Sequence, residues 1–318
     1  MSFSAKVKEE LSIQVSHARH CQVAELAALL SACGHVDIKD GAVENLWIQT
    51  ENEAVVRKSF TILRKTFNID TAIVIREGSA PKRGKIYMVE VGDASQADMI
   101  MKGAKLSADN GNGALYMDNS LVVQMNCCKR AFVRGAFLAS GSISDPEKGY
   151  HFEIVCQDRR KAEQIQVIIR SFHIDAKIVQ RKKSYVVYVK EGAQIVDMLA
   201  VMEANVALMD LENIRILKEM RNAVNRKVNC EAANINKTVS AAVRQVEDIQ
   251  LIGRTVGFES LNEGLAQVAQ LRLQYPEATL KELGMMLNPQ VGKSGVNHRL
   301  RKLSEVADEL RKNKEELL

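Results

Sequence analysis

An internal repeat constrains the fold of this 318-residue chain more than any other feature. The segment FNIDTAIV begins at Phe67, and the similar segment FHIDAKIV begins at Phe172, 105 residues later. Each is preceded by an alanine-rich apolar segment, CQVAELAALLSACGHVDI from Cys21 and CKRAFVRGAFLASGSISD from Cys128. Each is followed by an alternating strand, KIYMVEVGD or SYVVYVKEG. The same order of elements twice predicts a duplicated αββαββ unit whose halves form a pseudo-twofold sheet domain.

Each copy contains two predicted hairpins around a second helix. Strands alternate on both sides of Asp40-Gly41, a dipeptide typical of a tight hairpin turn. The segment EAVVRKSFTILRKTF places apolar residues at helical spacing from Val55 to Phe67, with Lys and Arg on the opposite side. A second hairpin, TAIVIREGSAPKRGKIYMVEV, has Gly and Pro at its tip, and KIVQRKKSYVVYV is its counterpart. The pattern predicts an α+β fold.

Small residues recur at helical spacing in both alanine-rich helices. They are Ala27, Ala28, Ala32 and Gly34 in the first copy and Ala131, Gly135, Ala139 and Gly141 in the second. Because small side chains let two backbones approach closely, we predict that the helices pack against each other at the twofold axis. The alternative is that each helix packs only against its own sheet.

Two such helices in a duplicated αββαββ unit resemble the LAGLIDADG homing-endonuclease fold. The motif falls on Leu26–Gly34, LAALLSACG, and more loosely on Val133–Gly141, VRGAFLASG. In that family an acid just before the final Gly holds the metal ions that cleave DNA, and these positions are Cys33 and Ser140 here. A thiol and a hydroxyl do not replace carboxylates around a hard cation. The resemblance therefore implies a saddle of strands able to straddle a duplex, without DNA cleavage.

Composition limits the classes of protein to consider. The formal net charge is only +5, so a signal for nucleic-acid binding has to be local. No apolar run approaches the ~20 residues that span a bilayer, and MSFSAKVKEELSIQ is not a signal peptide. The six cysteines show no CxxC spacing. We expect a cytoplasmic protein with reduced thiols.

The segment HARHC, with His17, His20 and Cys21, is the one sequence feature that points to a metal. A tetrahedral site needs a second Cys or His pair at ligand spacing to complete it, and the sequence shows none. We interpret these histidines as surface or helix-cap residues, and we predict no metal and no other cofactor.

Basic residues mark the tips of both second hairpins. They are Lys82, Arg83 and Lys85 in one copy and Arg181, Lys182 and Lys183 in the other. Their symmetric placement suits contacts with DNA phosphates. Solvated loop charge explains the same residues, so both interpretations stay open.

The chain becomes helical after Met202, in a long polar stretch interrupted by asparagines. Asparagine weakens a helix interior and favours caps and turns, which places a linker at residues 222–232. The predicted organisation is an N-terminal helix (1–20), a LAGLIDADG-like domain (21–221, with repeats at about 21–105 and 128–205), the linker, and a helix-turn-helix domain (233–318).

The segment Leu280–Leu303, LKELGMMLNPQVGKSGVNHRLRKL, predicts a helix-turn-helix. Thr279 and Glu282 form a capping box that begins the first helix, NPQVG ends it, and Ser294 can cap the second. The residues expected to face inward are Leu280, Leu283, Leu287, Val296, Leu300, Leu303, Val306 and Leu310. A nucleotide-binding loop is excluded, because GKS lacks both the required upstream Gly and a preceding strand.

The outer face of the second helix carries the predicted DNA-binding residues. Helical spacing puts Asn297, His298, Arg301, Lys302 and Glu305 there, with Arg299 flanking them. The stretch from Lys293 to Lys302 contains four cations and no acid. The predicted DNA-contacting set is Lys293, Ser294, Asn297, His298, Arg299, Arg301 and Lys302. A helical hairpin that binds another protein is the alternative.

The whole chain resembles the WhiA family. The opening SFSAKVKEEL and the pattern LKELG…NP…GKSGVNHRLRKL carry the resemblance, of which GKSGVNHRLRKL is the most specific part. WhiA proteins are Gram-positive bacterial regulators tied to sporulation, cell division and chromosome segregation. The resemblance also implies that the C-terminal domain is similar to region 4 of sigma factors, which binds promoter DNA.

These observations predict a monomeric, non-enzymatic, nucleoid-associated regulator that binds double-stranded DNA. RNA polymerase or another regulator is a further candidate partner, and a membrane is not. Two alternative functions stay open. One is a scaffold whose LAGLIDADG-like domain binds a protein or a small ligand, and the other is a nuclease that uses Asp37 or Asp145.

Overall fold

The computed structural model describes residues 1–39, 41–77, 85–109, 113–118 and 120–315. The chain divides into two compact units, Met1–Glu219 and Met220–Leu318. Elements that lie wholly in the first unit are α1 (Phe3–Ile13), α2 (Arg19–Cys33), β1 (Gly34–Lys39), β2 (Ala42–Thr50), α3 (Glu53–Phe67), β3 (Ile73–Glu77), β4 (Lys85–Val91), α4 (Ala94–Gly103), β5 (Leu106–Ala108), β6 (Leu115–Met117), the 3-10 helix η1 (Ser120–Val123), α5 (Asn126–Ser140), β7 (Gly141–Ile143), β8 (Phe152–Cys156), α6 (Arg159–Arg170), β9 (Lys177–Arg181), β10 (Ser184–Val189) and α7 (Gly192–Met202). Helix α8 (Asn205–Thr255) runs from the first unit into the second, which also contains the 3-10 helix η2 (Phe258–Ser260), α9 (Glu263–Gln274), α10 (Leu280–Met286) and α11 (Lys293–Glu315).

The two four-stranded sheets of the first unit repeat one topology. Their strand orders are β1-β2-β4-β3 and β7-β8-β10-β9, and neighbouring strands are antiparallel. The predicted duplication of an αββαββ unit is therefore confirmed. Asp40 of the first predicted turn and residues 78–84 at the tip of the second hairpin lie outside the described residues. Helix α4 and the small β5-β6 sheet, which the sequence pattern did not predict, follow the first copy along the chain.

The two alanine-rich helices, α2 and α5, pack directly against each other. A Cβ atom built on Gly135 would lie 2.6 Å from the carbonyl oxygen of Glu25 and 3.0 Å from the Cβ of Ala28. Only a residue without a side chain fits this approach, because the first of these neighbours is backbone that cannot rotate away. The predicted mutual packing is confirmed.

A charged network lies buried beside this helix pair. The Glu25 carboxylate, fully buried on α2, lies 2.5 Å from Lys58 Nζ on α3 and 3.2 Å from Arg134 Nε on α5. Lys58 Nζ also donates to the carbonyl oxygen of Leu11 on α1, at 2.6 Å. Arg134 in turn lies 2.7 Å from the Glu203 carboxylate, just after α7. The network thus joins α1, α2, α3, α5 and the end of α7.

Lys58 corrects one feature of the sequence-based helix assignment. All Lys and Arg residues of α3 were expected opposite its apolar face, as Arg57, Arg64 and Lys65 are, but Lys58 is only 1% exposed. Its burial is compatible with charge because a carboxylate and a carbonyl oxygen both accept from its ammonium group.

Helix α8 corrects the expectation that asparagines interrupt the helix after residue 222. Residues 222–232 are helical and exposed throughout. Asparagine costs only a few tenths of a kcal/mol per position relative to better helix formers, and its exposed amide bonds water. Buried residues on either side, Leu211 and Ile249, fix the two ends of the helix by packing. The division between units falls two residues before the predicted linker, and the domain limits themselves remain a prediction.

No helix in the described parts of the chain combines the length and the apolar character needed to cross a bilayer.

We predict that Gly135→Ala destabilises the first unit. The added methyl group forces α2 and α5 apart, and overpacking of this kind costs about 1–3 kcal/mol. Urea unfolding followed by the fluorescence of Trp47, the single tryptophan, measures the change. Gly92→Ala is the matched control, since its Cβ would meet nothing within 4 Å. Equal stability of the two variants would contradict the close approach of α2 and α5.

Candidate nucleic-acid interface

Helices α9, α10 and α11 share a core in the second unit. Their buried residues pack with Ile249 and Ile252 of α8. The apolar stripe predicted for α10 and α11 lies in this core, with Leu283, Leu287, Val296, Leu300 and Leu303 buried and Leu280, Val306 and Leu310 partly buried. Packing of these leucines and valines sets which face of α11 points outward.

The start of α10 matches the predicted capping box. The Thr279 hydroxyl accepts a hydrogen bond from the Glu282 amide at 3.3 Å, and the Glu282 carboxylate accepts from the Thr279 amide at 2.7 Å. Hydrogen bonds from the Thr279 backbone and side chain lower the pKa of Glu282. The cap keeps a charged acceptor at the helix N-terminus and fixes where α10 begins.

The turn between α10 and α11 depends on Gly284. The Val291 amide donates to the Gly284 carbonyl at 3.0 Å, so the turn folds back onto α10. A Cβ on Gly284 would lie 2.1 Å from the Val291 carbonyl oxygen, which is backbone. Gly284 therefore permits the close approach that sets the angle between the two helices.

Helix α11 begins at Lys293, so Ser294 does not form the N-terminal cap that the sequence predicts. The Gly292 carbonyl accepts from the Gly295 and Val296 amides, at 2.9 Å and 3.1 Å, which puts Gly292 at the start of the helix. Ser294 lies inside the first turn and is exposed. Glycine fits the capping position because it leaves the terminal amides open to solvent or to an anion.

The outer face of α11 is polar and cationic. Asn297, His298, Arg301, Lys302 and Glu305 are all exposed, as is Lys293 at the helix start. Among the residues that the structure describes, the three cations Lys293, Arg301 and Lys302 form no ion pair. This face therefore presents cations that no carboxylate of the described residues pairs with.

Arg299 differs from the other predicted contacts. It is partly buried, and its guanidinium donates to the Gly264 carbonyl of α9 at 3.4 Å. The structure thus places Arg299 at the edge of the cationic face, against the neighbouring helix.

Two buried polar residues that sequence reasoning missed hold this unit together. Asp248 on α8 is fully buried and accepts from Ser304 at 2.6 Å and from Arg311, both on α11. Arg272 on α9 donates to the Pro276 and Ala278 carbonyls of the loop before α10, and burial lowers its pKa. Arg244, four residues before Asp248, lies 3.9 Å from its carboxylate, but the hydrogen-bond partners of both residues are distant or backbone atoms, so no local spacing indicates their burial.

The former metal positions of the LAGLIDADG motif hold no carboxylate. Cys33 donates to the Leu29 carbonyl at 3.1 Å, and burial raises the pKa of its thiol to about 12. Ser140 donates to the Ala136 carbonyl at 3.4 Å. Both groups are neutral and bonded to their own helices, so neither supplies a hard-cation ligand.

The alternative acids also lie apart from these positions. Asp37 is exposed on β1, and Asp145 is exposed in the turn after β7, where its carboxylate accepts from the Glu147 amide at 3.0 Å. Neither belongs to a group of metal-ligating side chains within the described residues.

The basic hairpin tips are only partly described. Lys82 and Arg83 lie outside the described residues, while Lys85 begins β4 and is exposed. Arg181, Lys182 and Lys183 are exposed at the β9–β10 turn. Arg181 lies 2.9 Å from the Glu153 carboxylate, so its charge is already paired.

The structure corrects the argument that HARHC lacks a second pair of ligands. His20 and Cys21 lie beside Cys127 and Cys128, with the four ligand atoms within 4.8 Å of one another. Burial raises the pKa of Cys21, and raises that of Cys128 to about 12 together with the neighbouring thiols. The repeat contained a signal for this cluster. His20 and Cys127 are 107 residues apart, as are Cys21 and Cys128, and the equivalent glycines Gly34 and Gly141 have the same separation.

The fold and this interface define a class of protein: a duplicated LAGLIDADG-like unit followed by a helix-turn-helix unit. Family models match three consecutive stretches of the chain, described as the WhiA N-terminal LAGLIDADG-like domain (residues 19–107), the WhiA LAGLIDADG-like domain (129–221) and the WhiA C-terminal HTH domain (224–307). The chain belongs to the WhiA family.

Individual relatives are similar to this chain over nearly its full length. A probable cell division protein WhiA of Lachnoclostridium phytofermentans is 60% identical over 98% of this chain and 100% of its own. That of Alkaliphilus oremlandii is 47% identical over 99% of both. The crystal structure of full-length DUF199/WhiA from Thermatoga maritima has the same fold, with a TM-score of 0.60 and 24% identity over 97% of this chain and 99% of that one.

We predict that Gly284→Ala disrupts the angle between α10 and α11. The methyl group would collide with the Val291 backbone, so the turn must shift at a cost of about 1–3 kcal/mol. Amide hydrogen exchange of α10 and α11 should accelerate. The control is Gly264→Ala on α9, where the Cβ would meet only ordinary contacts at 3.4 Å or more. Unchanged exchange in Gly284→Ala would contradict the described turn.

Proposed function

We propose that this protein is a non-enzymatic, DNA-binding regulator of cell division, with the N-terminal half of α11 as its recognition helix. The observation that carries the proposal is the exposed face of α11, where Lys293, Arg301 and Lys302 have no acidic partner among the described residues. A helix held from behind by a leucine core, with a cationic face outward, suits insertion into a major groove. Membership of the WhiA family and the names of its relatives support the cell-division role.

Each exposed residue has a role that matches its chemistry. Arg301 and Asn297 can make bidentate hydrogen bonds to guanine and adenine edges, and His298 lies beside them. Lys293 and Lys302 contact phosphates, where a compact charge suffices. Arg299 contacts phosphate from the edge of the face, beside α9. Ser294 in the first turn adds a hydroxyl donor near the helix N-terminus.

The regulation acts through transcription in this proposal, with links to chromosome segregation and sporulation and with the nucleoid as its location. RNA polymerase or another regulator is the proposed protein partner, and the chain acts as a monomer. DNA cleavage is not part of the proposal, because Cys33 and Ser140 replace the acids that would hold metal ions.

We predict that Lys302→Ala weakens binding to duplex DNA of any sequence. Loss of one phosphate contact removes one released counterion, so the slope of log K against log salt should become shallower by about 0.9. Electrophoretic titration of a random 30-base-pair duplex at several salt concentrations measures this slope.

Lys312→Ala is the matched control for this experiment. It removes the same charge from the same helix, about 15 Å further along the axis, and should leave the slope nearly unchanged. An unchanged slope in Lys302→Ala would remove that residue from the interface. Tight duplex binding by a chain that lacks residues 220–318 would move the DNA site to the LAGLIDADG-like unit.

A further inference from the structure

Three thiols and one imidazole converge where helices α2 and α5 begin. We call His20, Cys21, Cys127 and Cys128 the CCCH cluster. The Nδ1 atom of His20 lies 3.2 Å from Cys128 Sγ, 3.3 Å from Cys21 Sγ and 4.0 Å from Cys127 Sγ. All four ligand atoms lie within 4.8 Å of one another.

These distances match the dimensions of a tetrahedral metal site. With metal–sulfur bonds of about 2.3 Å and metal–nitrogen bonds of about 2.0 Å, ligand atoms in such a site lie about 3.5–3.8 Å apart. The observed separations bracket this range, so rotamer adjustments suffice to place all four atoms around one ion. Three thiolates and one imidazole form a ligand set typical of structural zinc sites.

Both helices direct their N-terminal ends at the CCCH cluster. His20 and Cys21 lie in the first turn of α2, and Cys127 and Cys128 lie in the first turn of α5. The capping residues, Ala18 and Met125, make no side-chain cap, and neither first turn contains an acid. Two helix N-termini therefore direct positive potential at the buried sulfurs, which acts against the burial that raises the pKa of Cys21 and Cys128.

The four ligands differ in burial, which leaves a path by which a metal ion can enter the cluster. Cys21 and Cys128 are buried, 4% and 3% exposed, whereas His20 and Cys127 are exposed. The inner pair is held by core packing, and the outer pair provides an entry path from solvent. Each half of the repeat supplies one inner and one outer ligand, so the site is complete only when both halves are folded together.

We propose that the CCCH cluster binds one Zn²⁺ ion, which links the N-terminal ends of α2 and α5. Binding releases the three thiol protons to solvent, and the neutral imidazole of His20 is the fourth ligand. Four protein ligands leave no open coordination position, so the ion is structural rather than catalytic. The proposal is independent of DNA binding by α11.

The test is Zn²⁺ binding by the full-length protein, stripped of metal under a non-thiol reductant. Competition with a chromophoric chelator should give one Zn²⁺ per chain with a Kd of about 1 nM or tighter. Co²⁺ in place of Zn²⁺ should give the visible absorption of a tetrahedral site and a thiolate-to-metal band in the near ultraviolet. Chelation should lower the Tm of the first unit.

Cys127→Ser and His20→Gln are the informative variants, because both positions are exposed and the substitutions leave the core intact. Each should weaken Zn²⁺ binding by more than about 100-fold. Cys230→Ser, an exposed cysteine on α8, is the matched control and should bind Zn²⁺ as the unmodified chain does.

Several results would overturn the proposal. One is the absence of stoichiometric Zn²⁺ uptake by the reduced, unmodified chain, whose measurement does not depend on the folding of any variant. Another is an equal loss of affinity in Cys230→Ser. Isolation of the protein with an iron–sulfur cluster in place of a single ion, or with Cys21 and Cys128 joined in a disulfide that persists under reductant, would equally refute it.

Discussion

The Glu25 carboxylate is the interaction on which the first unit depends. It is fully buried and accepts from two cations, Lys58 and Arg134, which come from different helices. One of its oxygens has no hydrogen-bond partner among the described residues, so its charge relies on these two neighbours. Removing one partner of a buried ion pair typically costs about 3–5 kcal/mol, because the remaining charge stays buried without compensation.

The same arrangement shifts the pKa of both cations. Burial lowers the pKa of Lys58, and Glu25 counteracts that effect. Burial also acts against the charge of Arg134, but Glu25 and Glu203 outweigh it and raise its pKa. Charged groups that are satisfied in only one geometry favour that geometry over other packings of similar apolar helices. Here the ion pairs fix how α2 and α5 pack against each other.

Sequence reasoning succeeded where the signal was local or repeated. The two sheets, the α2–α5 contact at Gly135 and the capping box at Thr279 all follow from periodicity, small residues or short motifs. It failed for Lys58, because a lysine in an amphipathic helix is normally solvated and its partner Glu25 lies on another helix. Asp248 was missed for the same reason, since its partners on α11 are more than fifty residues away.

The CCCH cluster is a different kind of omission. Ligand spacing was sought along the chain, whereas a pseudo-twofold axis brings together equivalent positions of two repeats. Aligning the two repeats makes His20 equivalent to Cys127 and Cys21 equivalent to Cys128. In a duplicated domain, ligands are therefore to be sought across the repeat as well as along the sequence. The opposite ends of the same helices carry Cys33 and Ser140, so among the described residues the groups that could hold a metal ion cluster at the N-terminal ends.

The pairing of Arg181 is one reason why we propose α11, rather than the hairpin tips, as the DNA-binding surface. A cation bound to a carboxylate, as Arg181 is to Glu153, must give up that partner before it neutralises a phosphate, and the carboxylate left behind repels DNA. Arg301 and Lys302, which form no ion pair among the described residues, would make the same contact without that cost. Since the net charge of the chain is only +5, binding depends on where unpaired charge is concentrated rather than on the total. At the second hairpin tip Lys182 and Lys183 are also exposed without an ion pair among the described residues, so we propose α11 because Lys293, Arg301 and Lys302 lie together on one helix.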